Sequence, residues 1–142
     1  MEGVPGEVLY RAMEEENGMP RLGTTALRLG VRKGIDIRPD HAGMVDRPSF
    51  QPGQPNGLSC SPSIQDLPWF ALPIEWGGPN AKAVVWMIEV ADLGPDLIAQ
   101  DDTPPQRKGR YVSVGPAGPM TFDAYFQAVQ GTRLKWKKVI KS

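Results

Sequence analysis

The order of apolar and polar positions along the chain predicts several short β-strands. The longest apolar run, "AKAVVWMIEV" at residues 81–90, is β-branched and nearly continuous, which is typical of a central strand buried on both faces. Residues 8–13, "VLYRAM", are apolar around one arginine and predict a first strand. Residues 110–114, "RYVSV", alternate in polarity and end at Gly115, which predicts another strand.

Two further segments have strand-like patterns. Residues 57–61, "GLSCS", are a short run of small side chains that ends at a proline. Ser61 is also the expected cap, and Pro62 the expected first residue, of a short helix. Residues 132–140, "TRLKWKKVI", place apolar side chains at even positions opposite mostly basic ones, which predicts an amphipathic edge strand. The apolar positions of that strand are Leu134, Trp136 and Ile140.

One segment has the periodicity of an amphipathic helix. Residues 120–131, "MTFDAYFQAVQG", space their large apolar side chains three and four residues apart. Thr121 is the expected N-cap and Gly131 the expected stop of this helix. Residues 24–30, "TTALRLG", predict a single helical turn capped by one of their threonines.

Segments rich in Gly, Pro and charge predict loops at residues 14–23, 32–57 and 94–108. Strands therefore outnumber helices, and the helices do not alternate with them, so we expect an α+β fold rather than a doubly wound one. Residues 1–142 are expected to form a single domain with short elements and long loops.

Composition narrows the classes of function. The chain carries 16 Lys and Arg against 16 Asp and Glu, so its net charge gives no argument for binding nucleic acid or an anionic membrane. One Cys excludes an intramolecular disulfide, and one Cys with one His is a poor basis for a zinc site. No secretory signal is recognisable at the N-terminus, and no apolar stretch approaches the ~20 residues that span a bilayer. A reducing compartment, with neither metal nor membrane as a partner, is the expectation.

Charge is uneven along the chain. Residues 14–16 are three consecutive glutamates, and five basic residues lie between positions 133 and 141. Both runs are expected to form solvated surface.

Arg11 is the strongest candidate for chemistry. A guanidinium inside an apolar strand needs a partner, because burying it unpaired is very unfavourable. Arg11 either pairs with a carboxylate such as Asp36 or Glu89, or points into a cleft and binds a phosphate or carboxylate. His41 lies in a Pro/Asp/Gly loop and is expected at the surface. Cys60 is expected to be a small buried side chain on the core face of a strand.

Five motifs in the same order carry a resemblance to a known family. They are "VLYRAM", "LGVRKGIDI", "GLSCS" followed by "LP", "GPAGPM" and "TRLKWKKV", which together cover roughly residues 8–140. In this order the chain resembles the Tse-two family of type VI secretion toxins, whose fold looks like that of ADP-ribosyltransferases. The resemblance implies an ADP-ribosyltransferase-like split antiparallel β-sandwich that holds NAD in a cleft between two small sheets.

The resemblance also implies roles for individual residues. Arg11, next to Tyr10, matches the arginine on the first strand that meets the phosphates or ribose of NAD. Ser59 and Ser61, two residues apart, would lie on one face of a strand and line the nicotinamide side, with Cys60 facing away. Gly57 would let NAD approach the backbone closely. Arg11 and Ser59 are thus the predicted catalytic residues, and Tyr10, Arg11, Gly57, Ser59 and Ser61 the predicted NAD-binding residues.

Besides the arginine and the serine strand, the resemblance implies a catalytic glutamate on a later strand, and the chain departs from the transferase pattern at that position. The strand that would carry the catalytic glutamate has Ser113 and neither Glu nor Asp. Glu89 or Asp36 is a possible substitute, and the structural alternative for Glu89 is a buried ion pair with arginine.

Three aromatic side chains lie within the segment "DLPWFALPIEWGG". Trp69, Phe70 and Trp76 either stack on nicotinamide or cap the cleft, or they fill a core, and the core is favoured for at least two of the three. Trp86 and Trp136 are expected in the core.

The resemblance implies a bacterial toxin that is made in the cytoplasm, leaves by a route other than the general secretory one, and acts in a target-cell cytosol. It would use NAD to ADP-ribosylate a macromolecular target, and a cognate immunity protein would protect the producing cell. Two alternatives stay open: an NAD-hydrolysing toxin, and a non-catalytic binding module that retains the fold. The loop from Pro39 to Pro55 is the expected partner-sensitive surface.

Overall fold

The computed structural model describes residues 7–46, 56–106 and 109–141. These residues form a mixed α+β fold of mostly antiparallel strands with one short α-helix, α1 (Phe122–Gln130). In chain order the strands are β1 (Val8–Glu16), β2 (Met19–Pro20), β3 (Met44–Val45), β4 (Leu58–Cys60), β5 (Ala83–Glu89), β6 (Leu97–Asp101), β7 (Val112–Pro116), β8 (Met120–Thr121) and β9 (Lys137–Lys138).

The larger sheet has the strand order β2-β1-β5-β9. Strand β5 lies inside it, antiparallel to both β1 and β9, and Val85, Trp86 and Ile88 are almost completely buried. The prediction of a central strand is confirmed. Strand β9 lies at the edge, where two lysines face solvent, as expected of a charged edge strand.

A second sheet has the order β4-β7-β6, and β3 pairs with β8 in a separate two-stranded sheet. All five residues of β7 are buried, whereas β6 alternates buried Leu97 and Ala99 with less buried residues. The loop predicted for residues 94–108 is therefore partly wrong. Gln100 and Asp101 weaken the apolar pattern of β6, and pairing with β7 compensates for it.

The two sheets meet where β1 passes β4. The backbone N–H of Tyr10 donates to the Ser61 carbonyl at 2.7 Å, and the Ser61 N–H donates to the Tyr10 carbonyl at 2.9 Å. This two-way exchange brings the strand that carries Arg11 beside the strand that carries Ser59.

A shared core lies between the sheets and the helix. It contains Trp86 and Ile88 of β5, Val114 of β7 and, from α1, Tyr125 and Val129. The two core tryptophans, Trp86 and Trp136, are buried as predicted.

The predicted helix is confirmed at both ends. Thr121 Oγ1 accepts a hydrogen bond from the Ala124 N–H at 3.1 Å, which is the N-cap interaction expected from its position. The helix stops at Gly131, whose N–H donates to the Gln127 carbonyl at 2.8 Å.

Several local predictions are wrong. The loop predicted for residues 14–23 is wrong for residues 14–20, because β1 continues to Glu16 and turns through Asn17 and Gly18, both at positive φ, into β2. Residues 24–30 form a turn without a helix. Ser61 caps no helix: its hydroxyl donates to the Asp66 carbonyl at 3.1 Å, and the following 3₁₀ turn begins after Ser63. Leu134 and Ile140, expected on the buried face of an edge strand, are both 79% exposed.

The acidic run and the basic C-terminal segment contact each other. Lys138 Nζ lies 2.9 Å from Glu15 Oε1, and Arg133 Nη2 lies 3.0 Å from Glu16 Oε1. Arg133 Nε also donates to the Pro20 carbonyl at 2.8 Å. Both runs lie mostly at the surface, as expected, and folding in addition brings their opposite charges together in exposed ion pairs.

Candidate functional site

A cavity of about 110 Å³ lies beside the junction of β1 and β4. Its wall combines apolar groups with six polar or charged residues, which are Arg11, Arg32, Asp36, Ser59, Ser61 and Tyr111. Pockets that enclose a drug-sized ligand measure roughly 300–1,000 Å³, so this cavity encloses one small group of a ligand rather than a whole dinucleotide.

Arg11 is 8% exposed and is held by main-chain carbonyls. Its Nη1 donates to Ser59 O at 2.7 Å, and its Nη2 donates to Ala26 O at 3.1 Å and Arg28 O at 3.0 Å. Burial is the main cause that lowers the pKa of Arg11, yet a guanidinium stays protonated in proteins. Its Nε has no hydrogen-bond partner among the described residues. Arg11 thus lies at a cleft without a carboxylate partner, but its Nη atoms donate to main-chain carbonyls, an arrangement that neither expectation included, and binding of an anion there stays a prediction.

Neither carboxylate suggested for Arg11 forms an ion pair with it among the described residues. Asp36 lies in the cavity wall, but both of its oxygens accept from Arg32, at 3.0 Å from Nε and 3.0 Å from Nη2. These hydrogen bonds raise the pKa of Arg32. Glu89 is exposed at the end of β5 and does not line the cavity. The suggestion of a buried Glu89 ion pair is wrong, because the last residue of β5 faces solvent.

Ser59 and Ser61 both line the cavity, but their hydroxyls have different surroundings. Ser59 Oγ lies 2.7 Å from the hydroxyl of Tyr111, and Ser59 is only partly buried. Ser61 is 2% exposed, and its hydroxyl already donates to a backbone carbonyl. Cys60 belongs to the hydrophobic core as predicted, but it also lines the cavity beside Ser59 and Ser61 and does not simply face away from it, and burial raises the pKa of its thiol to about 12. Ser59 is therefore the more accessible of the two serines.

Tyr10 and Gly57 are not among the residues that line the cavity. Tyr10 contributes its backbone to the β1–β4 junction. Gly57 has φ +134°, and a Cβ at this position would overlap the Val114 carbonyl oxygen and approach the Tyr125 hydroxyl at 2.7 Å. The glycine is thus required by the protein's own packing, and close approach of NAD is not needed to explain it.

Ser113 stands at the position where the resemblance implies a catalytic glutamate, and it does not line the cavity. Ser113 is fully buried, and its hydroxyl donates to Asp102 Oδ2 at 2.8 Å, the same oxygen that accepts from Asn56 Nδ2 at 2.8 Å. Tyr111, directly before β7, lines the cavity instead. Sequence reasoning missed Tyr111 because its meeting with Ser59 depends on the pairing register of β4 and β7.

The aromatic residues of the segment at 69–76 are more exposed than predicted. Trp69 is 70% and Phe70 is 62% exposed, so the expectation that at least two of the three fill a core is wrong. Both side chains sit on a short 3₁₀ turn that leaves only Ala71 buried. Phe70 lines the cavity, whereas Trp76 is partly buried with Lys141 Nζ 5.3 Å from its ring centre.

The expected partner surface from Pro39 to Pro55 is described only as far as residue 46. His41 is exposed within that part, as expected, and the remainder lies outside the described residues. Within the described ranges, no cluster of three or more His, Cys, Asp and Glu is placed to hold a metal ion.

No protein-family model, curated protein or solved structure matches this chain. Within the described part of the chain, helices long and apolar enough to cross a membrane are absent.

Proposed function

We propose that this protein binds NAD at the Arg11 cavity and transfers its ADP-ribose unit to a macromolecular target. One observation carries the proposal: a buried arginine lies in the wall of the same cavity as Ser59. A cation in a cavity wall favours an anionic ligand, and neighbouring hydroxyls favour a sugar.

The arrangement of strands supports an ADP-ribosyltransferase-like split sandwich. Two antiparallel sheets meet through Tyr10 and Ser61, and the first strand of one sheet carries Arg11 beside the serine strand of the other. This matches the order of parts that the resemblance implies.

The residues present fit one end of NAD. Arg11 offers a charge to its phosphates or ribose, and Ser59 and Tyr111 offer hydroxyls to a ribose. The exposed ring of Phe70 at the cavity wall offers a face to the nicotinamide. In the reaction the bond between nicotinamide and the ribose carbon breaks, nicotinamide leaves with the electron pair, and the target forms a bond to that carbon and releases a proton.

The carboxylate normally expected for such a transfer has no direct equivalent in the cavity wall. Asp36 is the one carboxylate among its described residues, and it is already bound by Arg32. Positioning of NAD by Arg11, Ser59 and Tyr111 is therefore the main contribution that this site offers to the reaction. Transfer to water, which would consume NAD without a target, is the competing outcome.

We extend the proposal to a toxin on the strength of the five ordered motifs. In this proposal the protein acts in a bacterial target-cell cytosol. A cognate immunity protein that covers the cavity or a neighbouring face protects the producing cell. A non-catalytic binding module with the same fold is the alternative.

Expression in a bacterial cytosol tests the proposal. Wild type is expected to arrest growth, to bind NAD in calorimetry and to attach labelled ADP-ribose to a cellular macromolecule, whereas Ser59→Ala is expected to do so at least about ten-fold more weakly. Ser63→Ala is the matched control, because this serine is outside the cavity and makes no side-chain cap. Loss of NAD without labelling would favour hydrolysis, and normal growth without NAD binding would refute the proposal.

A further inference from the structure

Arg32 and Asp36 form an ion pair in the wall of the Arg11 cavity. Arg32 Nε donates to Asp36 Oδ2 and Arg32 Nη2 donates to Asp36 Oδ1, both at 3.0 Å, so the guanidinium and the carboxylate meet edge to edge. Asp36 Oδ2 also accepts from the backbone N–H of Arg32 at 2.7 Å. A phosphate presents two oxygens to a guanidinium in the same geometry, so it can take the place of this carboxylate on Arg32.

The carboxylate is the more firmly held of the two partners. The backbone N–H of Gly57 donates to the Asp36 carbonyl at 2.7 Å. The next residue, Ile37, is buried and pairs with Asn56 at the start of the serine strand. The side chain of Asp36 is 16% exposed, whereas that of Arg32 is 38% exposed. Arg32 is therefore the partner that can turn towards an incoming anion while Asp36 stays in the wall.

The charge at the cavity favours such an exchange. Among the described residues of its wall, Arg11 and Arg32 carry two positive charges and Asp36 carries the one negative charge. Burial lowers the pKa of Arg11, and the charge of Asp36 is among the effects that oppose this lowering, so one carboxylate acts on both guanidiniums. A partly exposed ion pair contributes little to stability, so an anion that brings a second negative charge can offset its loss.

We infer that Arg32 and Asp36 are an exchangeable ion pair: a phosphate of the ligand binds Arg32, and the released Asp36 carboxylate becomes the general base for the acceptor. This inference rests on the proposed function. As the bond between nicotinamide and the ribose carbon breaks, nicotinamide keeps the electron pair, and a lone pair of the target's hydroxyl or amine forms the new bond to that carbon. The proton of that hydroxyl or amine moves to a carboxylate oxygen of Asp36 and later passes to water.

Asp36→Asn separates this role from a structural one. The amide keeps the size of the side chain and an oxygen for the Arg32 N–H, but it is neutral and a very weak base. NAD is expected to bind about three-fold tighter, because Arg32 has lost its competing carboxylate, whereas kcat for ADP-ribose transfer is expected to fall about 100-fold. Weaker binding of NAD, or an unchanged kcat, would overturn the inference.

Glu15→Gln is the matched control for this variant. It neutralises the carboxylate of an ion pair with Lys138 that lies outside the cavity wall. Both the binding of NAD and kcat are expected to stay at their wild-type values.

Arg32→Gln tests the other partner, with Lys138→Gln as its control. NAD binding is expected to weaken about ten-fold through loss of a phosphate contact, and kcat is expected to change less, since Asp36 is then already released. Unchanged binding of NAD in Arg32→Gln would contradict the phosphate contact.

Inorganic pyrophosphate separates this inference from the proposed function, because it carries two linked phosphates without sugar or nicotinamide. In wild-type protein labelled with ¹⁵N at arginine Nε, the Arg32 resonance is identified by its loss in Arg32→Gln. Pyrophosphate is expected to shift that resonance and to bind Asp36→Asn about three-fold tighter than wild type. An unmoved resonance in a protein that transfers ADP-ribose overturns the inference and leaves the proposed function standing. A shifted resonance in a protein that neither binds nor consumes NAD supports the exchange and refutes the proposed function.

Discussion

Arg11 and Ser59 are joined directly, by a hydrogen bond of 2.7 Å from the guanidinium to the main-chain carbonyl. The two residues that sequence reasoning predicts as catalytic therefore contact each other through backbone and not across a ligand. The Arg11 guanidinium consequently has two roles. It places a positive charge at the cavity, and its hydrogen bonds to three main-chain carbonyls connect segments around the cavity.

Arg11→Ala is expected to destabilise the fold as well as any ligand complex. It leaves three carbonyls without their donor in a buried region, which is expected to lower the free energy of unfolding by about 3 kcal/mol. Urea unfolding measures this, with Arg11→Lys expected to lose less because it keeps a charge and some donors. A loss below about 1 kcal/mol for the alanine variant would contradict the role of these hydrogen bonds.

Gly57→Ala is expected to cost at least about 2 kcal/mol of unfolding free energy, because its Cβ would overlap the Val114 carbonyl at a positive φ. Gly18→Ala is the matched control: its φ is +79° and a Cβ there meets nothing within 4 Å. Backbone strain alone should limit its cost to about 1 kcal/mol. Equal losses in thermal or urea unfolding would show that packing at Gly57 is unimportant.

Replacement of Asp102 is expected to be costly, whereas replacement of its neighbour is not. Asp102→Ala leaves the buried Ser113 hydroxyl and Asn56 amide without their acceptor, at an expected cost of about 2–4 kcal/mol. Asp101→Ala removes exposed contacts, namely an ion pair with Arg110 and two hydrogen bonds from Thr103, and should cost less than Asp102→Ala because solvent can replace them. Chemical denaturation of both variants measures the difference, and a reversed order would contradict the assignment of Asp102 to the core.

Cys60 is expected to resist thiol reagents while the protein is folded. Burial raises the pKa of its thiol to about 12, so at pH 9 the folded thiol stays protonated while an unfolded one is largely ionised. Reaction with a disulfide reagent at pH 9 should be on the order of 100-fold slower in native protein than in urea. The same shift means that Cys60 stabilises the fold below the unfolded pKa, and that this contribution falls as pH rises above ~8.5. Fast native labelling would show that the side chain is not buried.

Phe70 and Trp69 offer a matched pair on one exposed turn. Both are more than half exposed, but only Phe70 lines the cavity among these two. Phe70→Ala is expected to weaken NAD binding about ten-fold by loss of stacking, whereas Trp69→Ala should leave it unchanged. The free energies of unfolding of both variants should lie within about 0.5 kcal/mol of the wild-type value, as is usual for surface substitutions. Calorimetric titration with NAD decides this, and equal effects would remove Phe70 from the site.

Strong local patterns made part of the fold predictable. Strand β5 is a long β-branched run, and α1 combines helical spacing with a threonine cap and a glycine stop, so both can be assigned without knowing their neighbours. Strand β6 lacks such a pattern, because Gln100 and Asp101 interrupt it and its pairing with β7 supplies what the local sequence does not.

Only those features of the candidate site that depend on a single strand could be predicted from the sequence. Arg11 could be singled out because a guanidinium in an apolar strand needs an explanation. Tyr111 could not, since its contact with Ser59 depends on a register between strands about fifty residues apart in the chain. The exposure of Trp69 follows from the course of a 3₁₀ turn, which composition does not reveal.

The contacts made by residues 133–138 bear on the order of events during synthesis. These residues supply the edge strand beside β5 and the positive charges that meet Glu15 and Glu16 on the first hairpin. A ribosome must therefore release nearly the whole described chain before the larger sheet has all four of its strands. The sheet that carries Arg11 is consequently completed by segments about 120 residues apart in the chain, so its last strand joins long after its first strand has been synthesised.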